Sequence, residues 1–164
     1  MDEEAFDAFY QASFAKLVGQ TYAMCGNLAE AQDCVQEAFI RAWDRRRQLD
    51  DNQSPEAWVR TVAQRLAVSR WRRAVKGLRS PDRALATGAP REPDPNRVAL
   101  ARALAQLPHD QRRAIVLFHL CDLSVADIAA EVGAPVGTIK ARLSRARATL
   151  ATLLSDDPQE VSHV

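Results

Sequence analysis

Thr138, Arg142 and Arg145 are the side chains of this sequence best suited to grip another molecule. They lie in SVADIAAEVGAPVGTIKARLSRA, Ser124 to Ala146, where Gly133-Ala134-Pro135 separates two helical patterns. Arg and Thr can reach base edges or phosphates, so the chemistry implied is hydrogen-bonded recognition of a polyanion. Projected at about 100° per residue, Val136, Ile139, Leu143, Ala146 and Leu150 share one side of the second helix. That side is expected to pack on Ile128, Ala129 and Val132 of the preceding helix. The opposite side presents Thr138, Ala141, Arg142, Arg145 and Ala148, flanked by Lys140 and Ser144. Small residues there allow close backbone approach, and a helix N-terminus offers unbonded N–H groups to a phosphate. Helix, short glycine turn and basic helix is the helix-turn-helix arrangement. A plain helical hairpin with a wet, charged outer face fits the same spacing. Arg147 falls nearer the buried side and reads as a snorkelling support or the partner of an acid.

Bond-making chemistry is not indicated. His109, His119 and His163 stand at no metal-like spacing from Cys25, Cys34 and Cys121, and His119 falls on or beside an apolar helical face. Three cysteines are an odd set, best read as reduced thiols. No glycine-rich phosphate loop or Ser-His-Asp set stands out. Glu30, Asp33 and Glu37 resemble a carboxylate cluster, but they share one helix start and read as solvated or partner-facing charge. The expectation is a non-enzyme with no catalytic residue, cofactor or metal.

A second surface is basic. From Trp58 to Arg83 the chain carries Arg60, Arg65, Arg70, Arg72, Arg73, Lys76, Arg79 and Arg83 against Asp82 alone, while Asp and Glu dominate the start. A formal net charge of +1 hides this segregation, and a polyanion feels the local potential. On the helix beginning at Pro55, Arg65, Ser69, Arg72 and Lys76 fall along one line beside the packed face Val59, Val62, Ala63 and Leu66. Trp71 sits beside the polar stripe and reads in two ways. It is a stacking surface for an unpaired base, or it closes the core against the first helix. Trp43 and Trp58 read as core. The loop LDDNQS carries Asp51, Asn52, Gln53 and Ser54, polar groups able to hydrogen-bond a base turned out of its stack. It is equally a plain connection.

The elements that must position these groups are helices only. Phe6, Phe9, Tyr10, Phe14, Leu17 and Val18 make an apolar stripe from Glu3 to about Gln20. Asn27 with Glu30 is a capping pair for LAEAQDCVQEAFIRAWDRR, whose acids precede Arg45, Arg46 and Arg47 as the helix dipole favours. Ser54 and Pro55 start the basic helix, and Ser124 with Asp127 starts another. Four helices are predicted after the linker: Val98 to Leu107, Pro108 to about Cys121, Ser124 to Val132 and Pro135 to about Leu154. The fold class expected is all-α, with helical domains at 1–78 and 97–155, a proline-rich flexible linker at 79–96 and a short tail at 156–164. With 47% hydrophobic residues the chain can build real cores. It shows no apolar run near the roughly 20 residues of a membrane span. The acidic start MDEEAFDAFY lacks a signal-peptide pattern, so a cytoplasmic protein without membrane insertion is expected.

Taken together, AEAQDCVQEAFIRAW, SPEAWVRTVAQRLAVSRWRR and LPHDQRRAIVLFHLCDLSVADIAAEVGAPVGTIKARLSRARATL resemble bacterial RNA polymerase sigma factors of the extracytoplasmic-function (ECF) type. The resemblance spans nearly the whole chain except the linker. It implies a region 2 that binds the β′ clamp helices of core polymerase and melts the −10 element. It also implies a region 4 that binds the β flap and reads the −35 element. By position, Asp33, Gln36, Glu37, Arg41 and Trp43 fall on the polymerase-binding and structural helix. Asp51, Asn52, Gln53 and Ser54 fall where a flipped base is captured, and Arg65, Ser69, Arg72 and Arg73 on the −10 helix, with Trp71 and Lys76 beside them. Thr138, Lys140, Ala141, Ser144 and Arg145, with Arg142 among them, fall on the −35 recognition helix. Family members often carry Asn and Asp where this sequence has Arg65 and Ser69, so local −10 contacts or helix packing are expected to differ. The tail SDDPQEVSHV holds no ligand-sensing domain, and regulation is expected from a separate anti-sigma factor. The rival readings are a free-standing helix-turn-helix regulator of duplex DNA, acting as a dimer, and an adaptor that holds polymerase without choosing promoters.

Overall fold

The structure is a computed structural model that describes residues 1–49, 54–75 and 94–156. The sequence readings on Asp51, Asn52, Gln53 and Lys76, on 79–93 of the linker and on the tail beyond 156 lie outside the described residues. Among the described residues there are helices and no strands: α1 (Glu3–Cys25), α2 (Leu28–Asp44), α3 (Pro55–Val75), α4 (Pro95–Ala105), α5 (His109–His119), α6 (Val125–Val132) and α7 (Val136–Ser155). α1–α3 belong to one compact unit and α4–α7 to a second.

In the first unit, Asp2 caps α1 by accepting from the Ala5 N–H at 2.9 Å. α1 runs past Gln20 to Cys25 because nothing breaks it before Gly26, which sits at φ 71° and donates its N–H to the Tyr22 carbonyl. Asn27 then caps α2 through the Glu30 N–H at 3.0 Å, as its spacing predicts. This tight corner lays α2 back along α1. Phe39 of α2 meets Tyr10 at 4.9 Å and Phe9 at 5.3 Å, and Trp43 meets Phe6 at 5.1 Å between ring centroids. Leu17, Ala31, Cys34, Val35, Ala38, Val59 and Ala63 are fully buried behind them. Lys16 of α1 pairs with Glu56 of α3 at 2.6 Å. Near the other end of α3, Arg70 reaches Glu30 and Glu37 of α2, so α3 runs parallel to α1 and antiparallel to α2.

In the second unit, Ala114 to Leu117 of α5, Ile128 of α6 and Ile139, Leu143 and Ala146 of α7 form the core. Arg112 donates to the carbonyls of Ala105 at 3.0 Å and Leu107 at 3.4 Å, closing the corner after α4. α4 starts at Pro95, inside the stretch read as linker, because proline is pre-organised for the first helical position. Ser124 caps α6 by accepting from the Asp127 N–H at 3.1 Å.

The turn between α6 and α7 depends on Gly133. It sits at φ 70°, and both its N–H and that of Ala134 donate to the Ala129 carbonyl at 3.0 and 3.1 Å. A Cβ added there meets no atom within 4 Å, so substitution is penalised by backbone conformation alone. Gly133→Ala is expected to lose about 1–2 kcal/mol of stability, and Gly133→Asn less, because asparagine tolerates this region. Urea unfolding followed by circular dichroism checks the order. Equal stability of all three chains would contradict it.

Candidate nucleic-acid interface

Pro135 precedes α7 with extended backbone and makes no side-chain cap, so the first N–H groups of this helix are uncapped by a side chain. Beyond them, Lys140, Ser144 and Arg145 are exposed, while Thr138, Ala141 and Arg142 are half-buried. Arg145 has no charged partner among the described residues. The residue is exposed, and its backbone carbonyl accepts from Thr149 Oγ1 at 3.1 Å. Arg142 differs from the outward-facing role expected of it. Its guanidinium leans back to Asp110 of α5 at 3.7 Å, and its side chain keeps only 26% exposure. Arg147 lies 5.2 Å over the Phe118 ring, a cation–π support that agrees with its expected place near the packed side. His119 is exposed and meets Phe118 edge-on at 4.9 Å.

Val136, expected on the packed side, is 42% exposed, and Ala129 and Val132 are only partly covered. α6 is too short to shield the first turn of α7 fully. The remaining packed residues, Ile139, Leu143 and Ala146, are buried as the periodicity predicts, with Leu150 half-buried.

The end of α3 forms a second exposed surface. Arg65, Trp71, Arg72 and Arg73 are exposed and Ser69 is half-buried. Trp71, at 63% exposure, does not close the core. Seven residues earlier on nearly the same side, Gln64 is buried. Lys16 is level with Glu56, so α1, ending at Cys25, gives out before it reaches Trp71. Ser54 is exposed and supplies the carbonyl that accepts from the Trp58 N–H at 3.1 Å. Trp43 and Trp58 pack on the core as expected, and the Arg46 guanidinium covers the Trp43 ring at 3.9 Å.

The basic run is smaller at the surface than in the sequence. Arg60 is buried at 4% exposure. Arg70 turns toward α2, where Nη1 lies 3.5 Å from Glu30 Oε1 and Nη2 lies 3.3 Å from Glu37 Oε2. The other oxygen of Glu37 accepts from Arg41 on its own helix at 2.5 Å. Glu30 and Glu37 therefore each pair with an arginine of the chain, while Glu37 keeps 39% side-chain exposure. Asp33 is half-buried and Gln36 exposed beside them. The Glu37–Arg41 pair is visible in the sequence as an i,i+4 spacing. The Arg70 and Asp110 contacts are not, because each joins residues far apart in the chain.

Such surfaces can bind and orient a polyanion: one helix presents hydrogen-bonding groups after a glycine turn, and another ends in arginines around an open indole. Among the described residues no group of His, Cys, Asp or Glu is placed to hold a metal. No described helix is long and apolar enough to cross a membrane.

Residues 9–76 match the family profile Sigma-70 region 2, and residues 97–150 match Sigma-70, region 4. ECF RNA polymerase sigma factor SigW of Bacillus subtilis is 30% identical over 171 residues, covering 94% of this chain and 91% of SigW. ECF RNA polymerase sigma factor EcfG of Rhodopseudomonas palustris is 32% identical over 142 residues, covering 84% of this chain and 78% of EcfG. The solved sigma factor RpoE, in complex with the anti-sigma factor NepR from Bartonella quintana, superposes with a TM-score of 0.76 at 26% identity. That match covers 94% of this chain and 99% of RpoE. The chain belongs to the sigma-70 family, within its ECF group of RNA polymerase sigma factors. Its function is that of a promoter-specificity subunit of RNA polymerase.

Proposed function

We propose that the two units divide this work. α1–α3 bind core polymerase through Asp33, Gln36, Glu37 and Arg41 and open the −10 element with Arg65, Ser69, Trp71, Arg72 and Arg73. Asp51, Asn52, Gln53, Ser54 and Lys76 join that −10 set on family position. α7 reads the −35 element with Thr138, Lys140, Ala141, Ser144 and Arg145, and Arg142 is a subsidiary contact because Asp110 already holds it. The domains proposed for these roles are 1–78 and 97–155, joined by the linker at 79–96. The β′ clamp helices and the β flap of polymerase are the docking sites. An anti-sigma factor that masks these faces is the expected regulator, as RpoE of Bartonella quintana was solved with one. The protein works in the cytoplasm, without membrane insertion and without catalysing covalent chemistry.

The observation that carries this reading is the exposed Trp71 beside Arg72 and Arg73. Unstacking a base step costs a few kcal/mol. Stacking a freed base on an aromatic ring returns about 1–3 kcal/mol. An open indole among cations therefore offsets much of one step of melting. A free-standing regulator of closed duplex has no use for such a platform, which sets that alternative behind.

Run-off transcription with sigma-free core polymerase and a pool of genomic promoter fragments tests the reading. Discrete transcripts that require this protein are expected. Their absence, with the chain folded and bound to core, would favour an adaptor, and failure to bind core would favour an independent regulator.

A further inference from the structure

Arg70 is the one described arginine of the α3 C-terminal half that does not face outward, and the manner in which it is held is informative. Each of its two acids contributes a single oxygen, at 3.5 and 3.3 Å. Both distances exceed the roughly 2.7–2.9 Å of a strong charge-assisted hydrogen bond. Neither pair has the two-pronged geometry that fixes a guanidinium in place. The Arg70 side chain keeps 16% exposure, and its neighbour one turn on, Arg73, is exposed. Residues at i and i+3 share a helix face, so a modest side-chain rotation moves the Arg70 charge toward that of Arg73. Glu37 meanwhile binds two cations at once, Arg41 through Oε1 and Arg70 through Oε2, and stays 39% exposed.

From this geometry we infer that Arg70 is a latent nucleic-acid contact, tethered to α2 by Glu30 and Glu37 and released when a partner's cationic group takes up Glu37. This rests on the proposed role of Glu37 in polymerase binding. A cation arriving at the open side of Glu37 competes for its lone pairs and raises the potential felt by Arg70. Glu30 alone then holds the guanidinium at its longer distance. The phosphates near Arg72 and Arg73 become the stronger anionic neighbours. The antiparallel packing of α2 on α3 thus links occupation of the acidic helix to the number of cations available on the basic one.

The test uses the full chain and a fluorescent single-stranded oligothymidylate, with the binding constant followed against salt by anisotropy. In the free chain, Glu30→Gln with Glu37→Gln mimics release. Binding is expected to tighten several-fold, and the log–log salt slope to steepen by about 0.7, the contribution of one added phosphate contact on a single strand. Adding Arg70→Gln to that pair is expected to remove the whole gain. A gain that survives Arg70→Gln comes from lost acid repulsion and overturns the inference, as does no gain at all. Circular dichroism monitors folding; should the pair misfold, Glu37→Gln alone is expected to give a smaller gain that Arg70→Gln again removes, and a gain that survives Arg70→Gln overturns the inference. With saturating core polymerase, Arg70→Gln is expected to lower the salt slope by a similar amount beyond any effect in the free chain. An equal effect with and without bound core would show that no release occurs. Failure to form a core complex would instead count against the proposed function, while the free-chain arms would still decide the tether.

Discussion

Phe39→Ala is expected to leave the α1–α3 unit largely unfolded under conditions where the native chain is folded. Phe39 is 3% exposed and is the hub of the aromatic packing between α1 and α2, touching Phe6, Phe9, Tyr10 and Phe14. Removing a buried phenyl ring costs about 3–5 kcal/mol, counting lost transfer energy and the cavity left behind. A core of this size supplies roughly the same net stability. Trp43, Trp58 and Trp71 are the chain's three tryptophans, and all lie on α2 and α3. Intrinsic fluorescence in urea therefore reports this unit directly. Ile40→Ala is the control next door: Ile40 is 60% exposed, so a change within about 0.5 kcal/mol is expected. A Phe39→Ala midpoint equal to that of the native chain would show that the aromatic cluster does not hold the unit together.

Much of the fold is legible in the sequence because its signals are local. Asn27 three residues before Glu30, Ser124 three before Asp127 and Gly133 before Pro135 each mark a helix boundary through hydrogen bonds or dihedrals that residues of these types favour. The site is less legible because exposure depends on which helix covers which. Arg60, Arg65, Arg70 and Arg72 look alike in a charge count, yet Arg60 is buried and Arg70 turns inward. Trp71 lies on nearly the same side of α3 as the buried Gln64 but is 63% exposed, a difference that periodicity does not carry. Val136 follows the apolar stripe faithfully but sits in a first turn that the short α6 leaves open. Arg142 shares the outward face with Arg145 on a helical wheel, and only the fold brings Asp110 beside it. Family resemblance supplied the order of acidic helix, basic helix and helix-turn-helix, but it does not say which guanidinium in each is free.

That last distinction gives the second large effect. Arg145→Ala is expected to weaken productive binding to a −35 element by about 5- to 150-fold, the consequence of losing a 1–3 kcal/mol base-edge contact. Arg142→Ala is expected to do less, because Asp110 already offsets part of that charge in the free protein. The comparison is made by competition among promoter fragments that differ only in the −35 hexamer, with holoenzyme at fixed salt. If Arg145 reads a base, its loss flattens discrimination at one position of the hexamer. If it touches only phosphate, binding falls uniformly across fragments and the salt slope drops by about 0.9. Thr138→Ala separates further. The Thr138 side chain is half-buried in the first turn of α7, beside N–H groups with no side-chain cap, so it can both steady the helix start and donate one hydrogen bond to DNA. A flattened preference with unchanged stability assigns it to reading, and a matching loss of stability assigns it to support. Should Arg145→Ala leave both promoter choice and salt slope untouched, Arg145 would not touch DNA, and reading by α7 would fall to Thr138, Lys140 and Ser144.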